Sequence, residues 1–338
     1  MTSLGSKPRR IPGLLLLAAG VLAAAAIAAG VGSSDLTLHD VVIALAGGGD
    51  ASTRGIVIDF RLARVLLAAC VGAALAAAGA SYQAVLRNPL ADPFILGVSG
   101  GAALGAVLFI AAAPSAGLTD SIARPAAAFF GAVVTLILLF ALARVQGRTE
   151  TTALLLTGVV LNALDSAVIQ FFVSTGDPAR FQGTLSFLMG AMNAPSWRTL
   201  ATVFVLVAFG LAVLFAHAHT LNLLTLGDEE AAQLGVGVDR ARWTIVLAAS
   251  LVTAAAVAFT GIIGFVGLIV PHAMRGIFGP DHRVLLPASA LGGAATLMLA
   301  DAAARTLMAP TELPVGVVTA LVGGPFFLTL LMRRLRAS

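Results

Sequence analysis

The feature that most constrains this chain is a series of uncharged apolar stretches, each about as long as a helix needs to be to cross a bilayer. Roughly 20 helical residues span a hydrocarbon core about 30 Å thick. Runs of that kind, bounded by charges or by Gly and Pro, fall near 11–31, 64–86, 95–113, 122–143, 152–173, 199–219, 243–261, 264–279, 284–308 and 314–332. They are continuous and rich in Ala, Leu and Val, without the alternation of a barrel strand, so helices are expected. Hydrophobic residues make up 59% of the chain and charged ones 11%, against about 45–50% and about 25% in soluble domains. Residues 1–338 therefore read as a single all-α polytopic membrane domain with about ten transmembrane helices and no sizeable soluble part.

Two stretches need separate argument. Lys7, Arg9 and Arg10 precede Ile11–Gly30 in the manner of a secretory signal, but the apolar part exceeds the usual 7–15 residues and reads as a retained first span. Thr244–Phe278 would be about 50 Å long as one helix, so a break is expected among Gly261, Gly264, Gly267 and Pro271. With the N-terminus inside and ten spans, thirteen Lys and Arg residues fall on the inner side and seven on the outer. That bias places both termini in the cytoplasm.

Several chemistries are excluded or disfavoured. A Walker A loop needs a lysine on the phosphates, and the one lysine, Lys7, has no Gly-rich loop before it. ATP-driven work would need a separate ATPase subunit, and the chain itself is not expected to be an enzyme. His217 and His219 lie near a span end without acidic partners at ligand spacing, so neither a metal nor a cofactor is expected. Cys70 is the only cysteine, which excludes an internal disulfide. The net charge of +4 fits arginine in loops, with no basic and aromatic pattern for nucleic acid.

The most informative polar segment is Leu223–Arg242, within a candidate coupling region at about 221–240. Gly227 precedes Asp228, Glu229 and Glu230, acids that suit the first turn of a short helix, and Gly235 stops it about two turns later. Such a helix between two spans is either a handle for a cytosolic partner or a solvated loop. A faint internal echo, Ala63-Arg64 and Ala241-Arg242 each opening an apolar stretch, fits an inverted repeat.

Arg61–Gly105, RLARVLLAACVGAALAAAGASYQAVLRNPLADPFILGVSGGAALG, strongly resembles the permease subunits of FecCD-type (type II) ABC importers for iron–siderophores, heme and cobalamin. GDEEAAQLGV, GFVGLIVPHAMRG, DHRVLLPASALGG and ELPVGVVTALVGGPFF match the same family in the same order. The resemblance implies a type II ABC importer permease fold in the bacterial inner membrane. It also implies a second permease copy (a homodimer), two cytosolic ATP-binding subunits, and delivery of cargo by a periplasmic or lipid-anchored substrate-binding protein.

It further implies roles for particular residues. Gly227, Asp228, Glu229, Glu230, Ala231, Leu234 and Gly235 become the ATPase-coupling site. Arg61, Arg64 and Arg305 become docking points for carboxylates of the binding protein, a task suited to the bidentate guanidinium; anchoring to lipid headgroups is the alternative. Asn88, Leu90, Thr151 and Thr152 become the cytoplasmic gate, with a turn at Asn88-Pro89 and an N-cap at Thr151 as the plain structural alternative. Apart from the resemblance, the expected outer region Ser174–Trp197 contains Arg180, a candidate substrate contact or equally the anchor of a short outer helix. Phe171, Phe172 and Phe187 near that mouth suit a flat macrocycle or ordinary packing. Ser99-Gly100-Gly101 and Gly261–Gly267 permit close helix approach.

Asp165 and Asp301 lie inside apolar spans, where a carboxylate costs roughly 2.5–3.5 kcal/mol or more unless paired or wet. A proton-coupled carrier would exploit such groups, and that is the rival class. Within the importer reading, an iron chelate (heme or a ferric siderophore) is the expected cargo, with cobalamin the alternative.

Overall fold

Alanine-rich apolar runs favour helix by propensity, and a helix satisfies its own backbone polar groups where no water can. The computed structural model is helical accordingly; it describes residues 10–32, 36–112, 120–145, 148–149, 151–176 and 184–335. Helix α1 is Arg10–Gly30 and α2 is Leu38–Leu45. A continuous helical segment then runs from α3, Ala51–Arg54, through a π-helical stretch, Gly55–Leu62, into α4, Ala63–Val85. After a 3-10 turn at Pro93–Leu96 come α5, Val98–Ala112, α6, Asp120–Leu142, and α7, Thr151–Thr175. Next are α8, Trp197–Ala216, α9, Ala218–Leu224, α10, Asp228–Gln233, and α11, Val238–Thr260. The last three are α12, Val266–Phe278, α13, His282–Thr306, and α14, Val315–Leu335.

Seven of these segments are long and apolar enough to cross a membrane, and three shorter apolar helices, α5, α12 and the first part of α14, accompany them among the described residues. The ten expected spans all find a helix. The break in 244–278 comes at Gly261–Phe265, where Gly261 (φ +71°) and Phe265 (φ +68°) leave helical geometry. Gly267, expected among the breakers, lies inside α12 instead, and so does Pro271. The proline has no N–H to offer the carbonyl of Gly267.

Three details differ from the sequence reading. The second span starts well before residue 64, because Arg61 and Arg64 are buried and bonded internally and do not end the helix. The sixth span stops at Ala216; His217 turns the chain, its Nδ1 2.9 Å from the Val213 carbonyl oxygen. Arg144–Val145 and Arg148–Thr149 form a two-residue antiparallel ladder that apolar periodicity does not signal.

The centre of the bundle is α4, which packs on α8, α11, α12 and α13. Of the apolar windows in Ala51–Val85 and in α11, 72% is buried, against 11% in α1. Two glycine crossings explain the close fit. Gly72 of α4 lies against the backbone of Gly293 of α13, and Gly79 against that of Gly267 of α12, so a Cβ at either α4 position would strike a carbonyl. Small residues let helix backbones meet, and this supplies packing where lipid removes the usual hydrophobic drive.

Candidate functional site

The rigid frame holds polar clusters at its two rims, joined by α4. At about 1.5 Å per residue its 23 residues separate them by about 34 Å.

At one rim α10 forms as its sequence dictates. Gly227 (φ +140°) precedes it, and Asp228, Glu229 and Glu230 occupy its first turn. Gly235 (φ +85°) ends it: the N–H of Val236 reaches the Ala231 carbonyl and that of Gly235 the Ala232 carbonyl, each at 3.0 Å. These are the two bonds of a Schellman motif, which favours glycine at the left-handed position. Ala231 is buried beneath, while Glu229, Glu230 and Leu234 face outward. Leu226 at 60% and Leu234 at 59% exposure flank the acids with apolar surface.

Asp228 behaves differently from its neighbours. Arg242 Nη2 donates to its Oδ1 and Oδ2 at 2.9 and 2.8 Å, and Arg87 Nη2 lies 3.4 Å from Oδ1. The preceding helix, α9, is fastened as well. Asn222 Nδ2 donates to Asp281 Oδ1 at 2.8 Å, and the His282 N–H donates to Asn222 Oδ1 at 2.8 Å. The α9–α10 segment is therefore bonded to the starts of α11 and α13 and to the end of α4.

The residues expected at the gate lie on two elements. Asn88 and Leu90 are half-buried in the loop after α4, where the Leu90 N–H donates to Asn88 Oδ1 at 3.0 Å, the turn the alternative foresaw. Thr151 is the first residue of α7, inside the helix rather than ahead of it, and Thr152 is exposed beside it. The connection between the two groups is the Pro93–Leu96 turn. It packs on α7, and Asn162 Nδ2 donates to the Phe94 carbonyl at 2.6 Å.

At the opposite rim the three predicted arginines line one cavity, and two of them, Arg64 and Arg305, close on Asp301. Arg64 Nε and Nη2 lie 3.0 and 2.9 Å from Asp301 Oδ1, and Arg305 Nε lies 3.1 Å from Oδ2. Arg64 Nη1 also meets Glu312 Oε2 at 2.7 Å. Arg305 donates to the carbonyls of Val31 and Ala28, both at 2.8 Å, and Arg61 to that of Ala29 at 3.3 Å. All three arginines are buried, and with Glu312, Gly32, Ile56 and Phe60 they line a cavity of about 270 Å³. Trp197 marks the same rim through a 2.8 Å bond from Nε1 to Asp59 Oδ1.

Asp301 is thus paired. Asp165 is buried against Gly100, and its Oδ2 has no hydrogen-bond partner among the described residues. Arg180 lies outside the described residues. Phe171 is exposed, whereas Phe187 is buried and its carbonyl accepts the Ile262 N–H, so it serves packing.

Four contributors escaped the sequence reading: Arg87, Arg242, Leu226 and Glu312. Glu312 stands in the quoted ELPVG motif and Arg242 in the internal echo, so both were visible without a role. Both arginines of that echo are buried and hold an aspartate, Arg64 with Asp301 and Arg242 with Asp228.

The sequence model of the FecCD transport family matches residues 21–333. The chain belongs to that family. The cobalamin import system permease protein BtuC of Halobacterium salinarum is 48% identical over 82% of this chain and 74% of its own length. The hemin transport system permease protein HmuU of Yersinia pestis is 43% identical over 82% of this chain and 83% of its own. A solved inward-facing structure of a metal-chelate type ABC transporter superposes with a TM-score of 0.82 at 32% identity, covering 97% of this chain and 99% of that one. The protein is therefore a multi-pass membrane permease of an ABC importer with the type II permease fold. The FecCD relatives are permease subunits rather than catalytic ones, and this permease has a corresponding architecture.

Proposed function

We propose that this FecCD permease forms the membrane path of an ATP-driven importer for a metal chelate in the bacterial inner membrane, with both termini cytoplasmic. The observation that carries the reading is the acidic helix α10, with Glu229 and Glu230 outward between the exposed Leu226 and Leu234; Asp228 ties it to the start of α11, and Asn222 of the preceding α9 ties that helix to the start of α13. An ATPase subunit gripping that knob moves it as a body, and rigid helices pass such movement on. ATP hydrolysis belongs to two cytosolic subunits. A second permease copy completes the path, with α7 a candidate face because it leaves Leu156, Val160 and Leu164 exposed. Asn88, Leu90, Thr151 and Thr152 form the inner seal.

The cargo assigned is an iron chelate, heme or a ferric siderophore; cobalamin is the second reading, favoured by the 48% identical relative named for it. Uptake into vesicles holding the permease, its ATPase and its binding protein tests both, with heme, ferric siderophore and cobalamin offered separately. ATP-dependent entry of one of them is expected. Accumulation driven by a proton gradient without nucleotide would restore the carrier reading.

The arginine rim receives carboxylates of the binding protein. Removing Arg64 or Arg305 would also strip Asp301 of a partner, so the informative positions are Arg61 and Glu312. Arg61→Gln is expected to weaken docking about tenfold at low salt, and Glu312→Gln to tighten it by removing a competing carboxylate. Binding measured at two ionic strengths decides, because the Arg61 effect shrinks with salt. Unchanged affinity in both variants returns the arginines to a structural role.

A further inference from the structure

Three helix ends close on the same pair of backbone bonds. After α2 the N–H of Gly48 reaches the Ile43 carbonyl and that of Gly47 the Ala44 carbonyl; after α10, Val236 and Gly235 repeat the pattern. In both, a glycine holds the left-handed position, Gly47 at φ +87° and Gly235 at φ +85°. After α4 the N–H of Asn88 reaches the Gln83 carbonyl at 3.1 Å and that of Arg87 the Ala84 carbonyl at 3.2 Å. There the left-handed residue is Arg87, at φ +47°. An L-residue with a long side chain is disfavoured at such a position, where glycine adopts the geometry freely. Its guanidinium reaches the Asp228 carboxylate at 3.4 Å, a contact that stays half-exposed on both sides.

Arg87 is also the residue immediately before Asn88-Pro89-Leu90. Asp228, on the first turn of α10, meanwhile holds Arg242 at the base of α11. One carboxylate thus joins the coupling helix, the start of α11 and the loop carrying the inner seal.

We infer that Asp228 and Arg87 form the transmission joint of the transporter, through which displacement of α10 by the ATPase pulls on the Asn88–Leu90 loop. Glu229 and Glu230 receive the partner; Asp228 hands its movement on. The inference rests on the coupling reading above, and both residues are positioning residues that touch neither cargo nor nucleotide.

The decisive variant is Arg87→Gly, which restores the residue the backbone favours while removing the link. It is tested in the complete complex with ATPase and binding protein, transport being read in a Cys70→Ala background and labelling in the same background carrying Leu90→Cys. With Arg87 present, maleimide labelling of position 90 is expected to change between nucleotide-free and ATP-bound states. In Arg87→Gly the thermal midpoint is expected to hold or rise and the ATPase to remain bound. Cargo moved per ATP is expected to fall about fivefold or more, and labelling to lose its nucleotide dependence. Arg87→Lys, which keeps a cation in reach, is expected to recover part of both readouts. Retained transport per ATP with nucleotide-dependent labelling in Arg87→Gly would overturn the joint. Failure of the underlying coupling reading looks different, since it appears as ATPase assembly that ignores charge reversal at Glu229 and Glu230.

Discussion

Asp301→Ala is expected to lower the unfolding free energy of this permease by about 3–5 kcal/mol, the range for removing one member of a buried ion pair. The cost arises less from the bonds lost than from what stays behind. Arg64 and Arg305 are buried at the rim, and each spends its Nε on Asp301. Arg64 keeps Glu312 and Arg305 keeps two carbonyls, but two guanidinium groups then face each other with the bridging carboxylate gone. Asp301→Asn, which preserves shape and one acceptor, is expected to fall between wild type and alanine. Unfolding of the purified protein in detergent, followed by thermal midpoint, reads the series. The loss should persist at high salt, because buried pairs are screened little. An alanine variant as stable as wild type would mean that the cluster is energetically idle.

Reversing both outward acids, Glu229→Lys with Glu230→Lys, is expected to weaken ATPase assembly by about 100-fold or more at low salt, since like charges juxtaposed at an interface cost several kcal/mol. Because both side chains are exposed, the fold itself should lose only about 1–2 kcal/mol, the preference of a helix start for acids. The double glutamine variant should lose far less, and salt should recover part of the reversed variant's affinity. Co-purification of the ATPase subunit, with uptake in parallel, is the measurement. Assembly and uptake both indifferent to the reversal would remove segment 226–234 from the coupling role.

Much of this architecture was legible because bilayer physics writes itself into sequence. A span must be apolar, its breaks need Gly or Pro, and acids gather at a helix start, so the helices, the break after Thr260 and the form of α10 follow from local residues. Charge misled the reading once. Arg61 and Arg64 look like a span boundary, yet their partners lie on α1 and α13, far along the chain, and the helix runs through them. The same limit applies to the acidic trio: Asp228, Glu229 and Glu230 are equivalent in sequence, and only the approach of Arg87 and Arg242 sets the first apart from the other two. The turn at Asn88, by contrast, is legible locally because its bond is to Leu90, two residues away.

The helix Ala63–Val85 carries one arginine clasp near its first turn and leads straight into another just past its last. Its length is consequently not free. Inserting or deleting a single residue between Arg64 and Arg87 would rotate one clasp against the other by about 100°, so that when one found its aspartate the other would point away. The residue count of this rod is thereby a phase setting between the two faces of the membrane, and lineages that alter its composition have reason to keep its number.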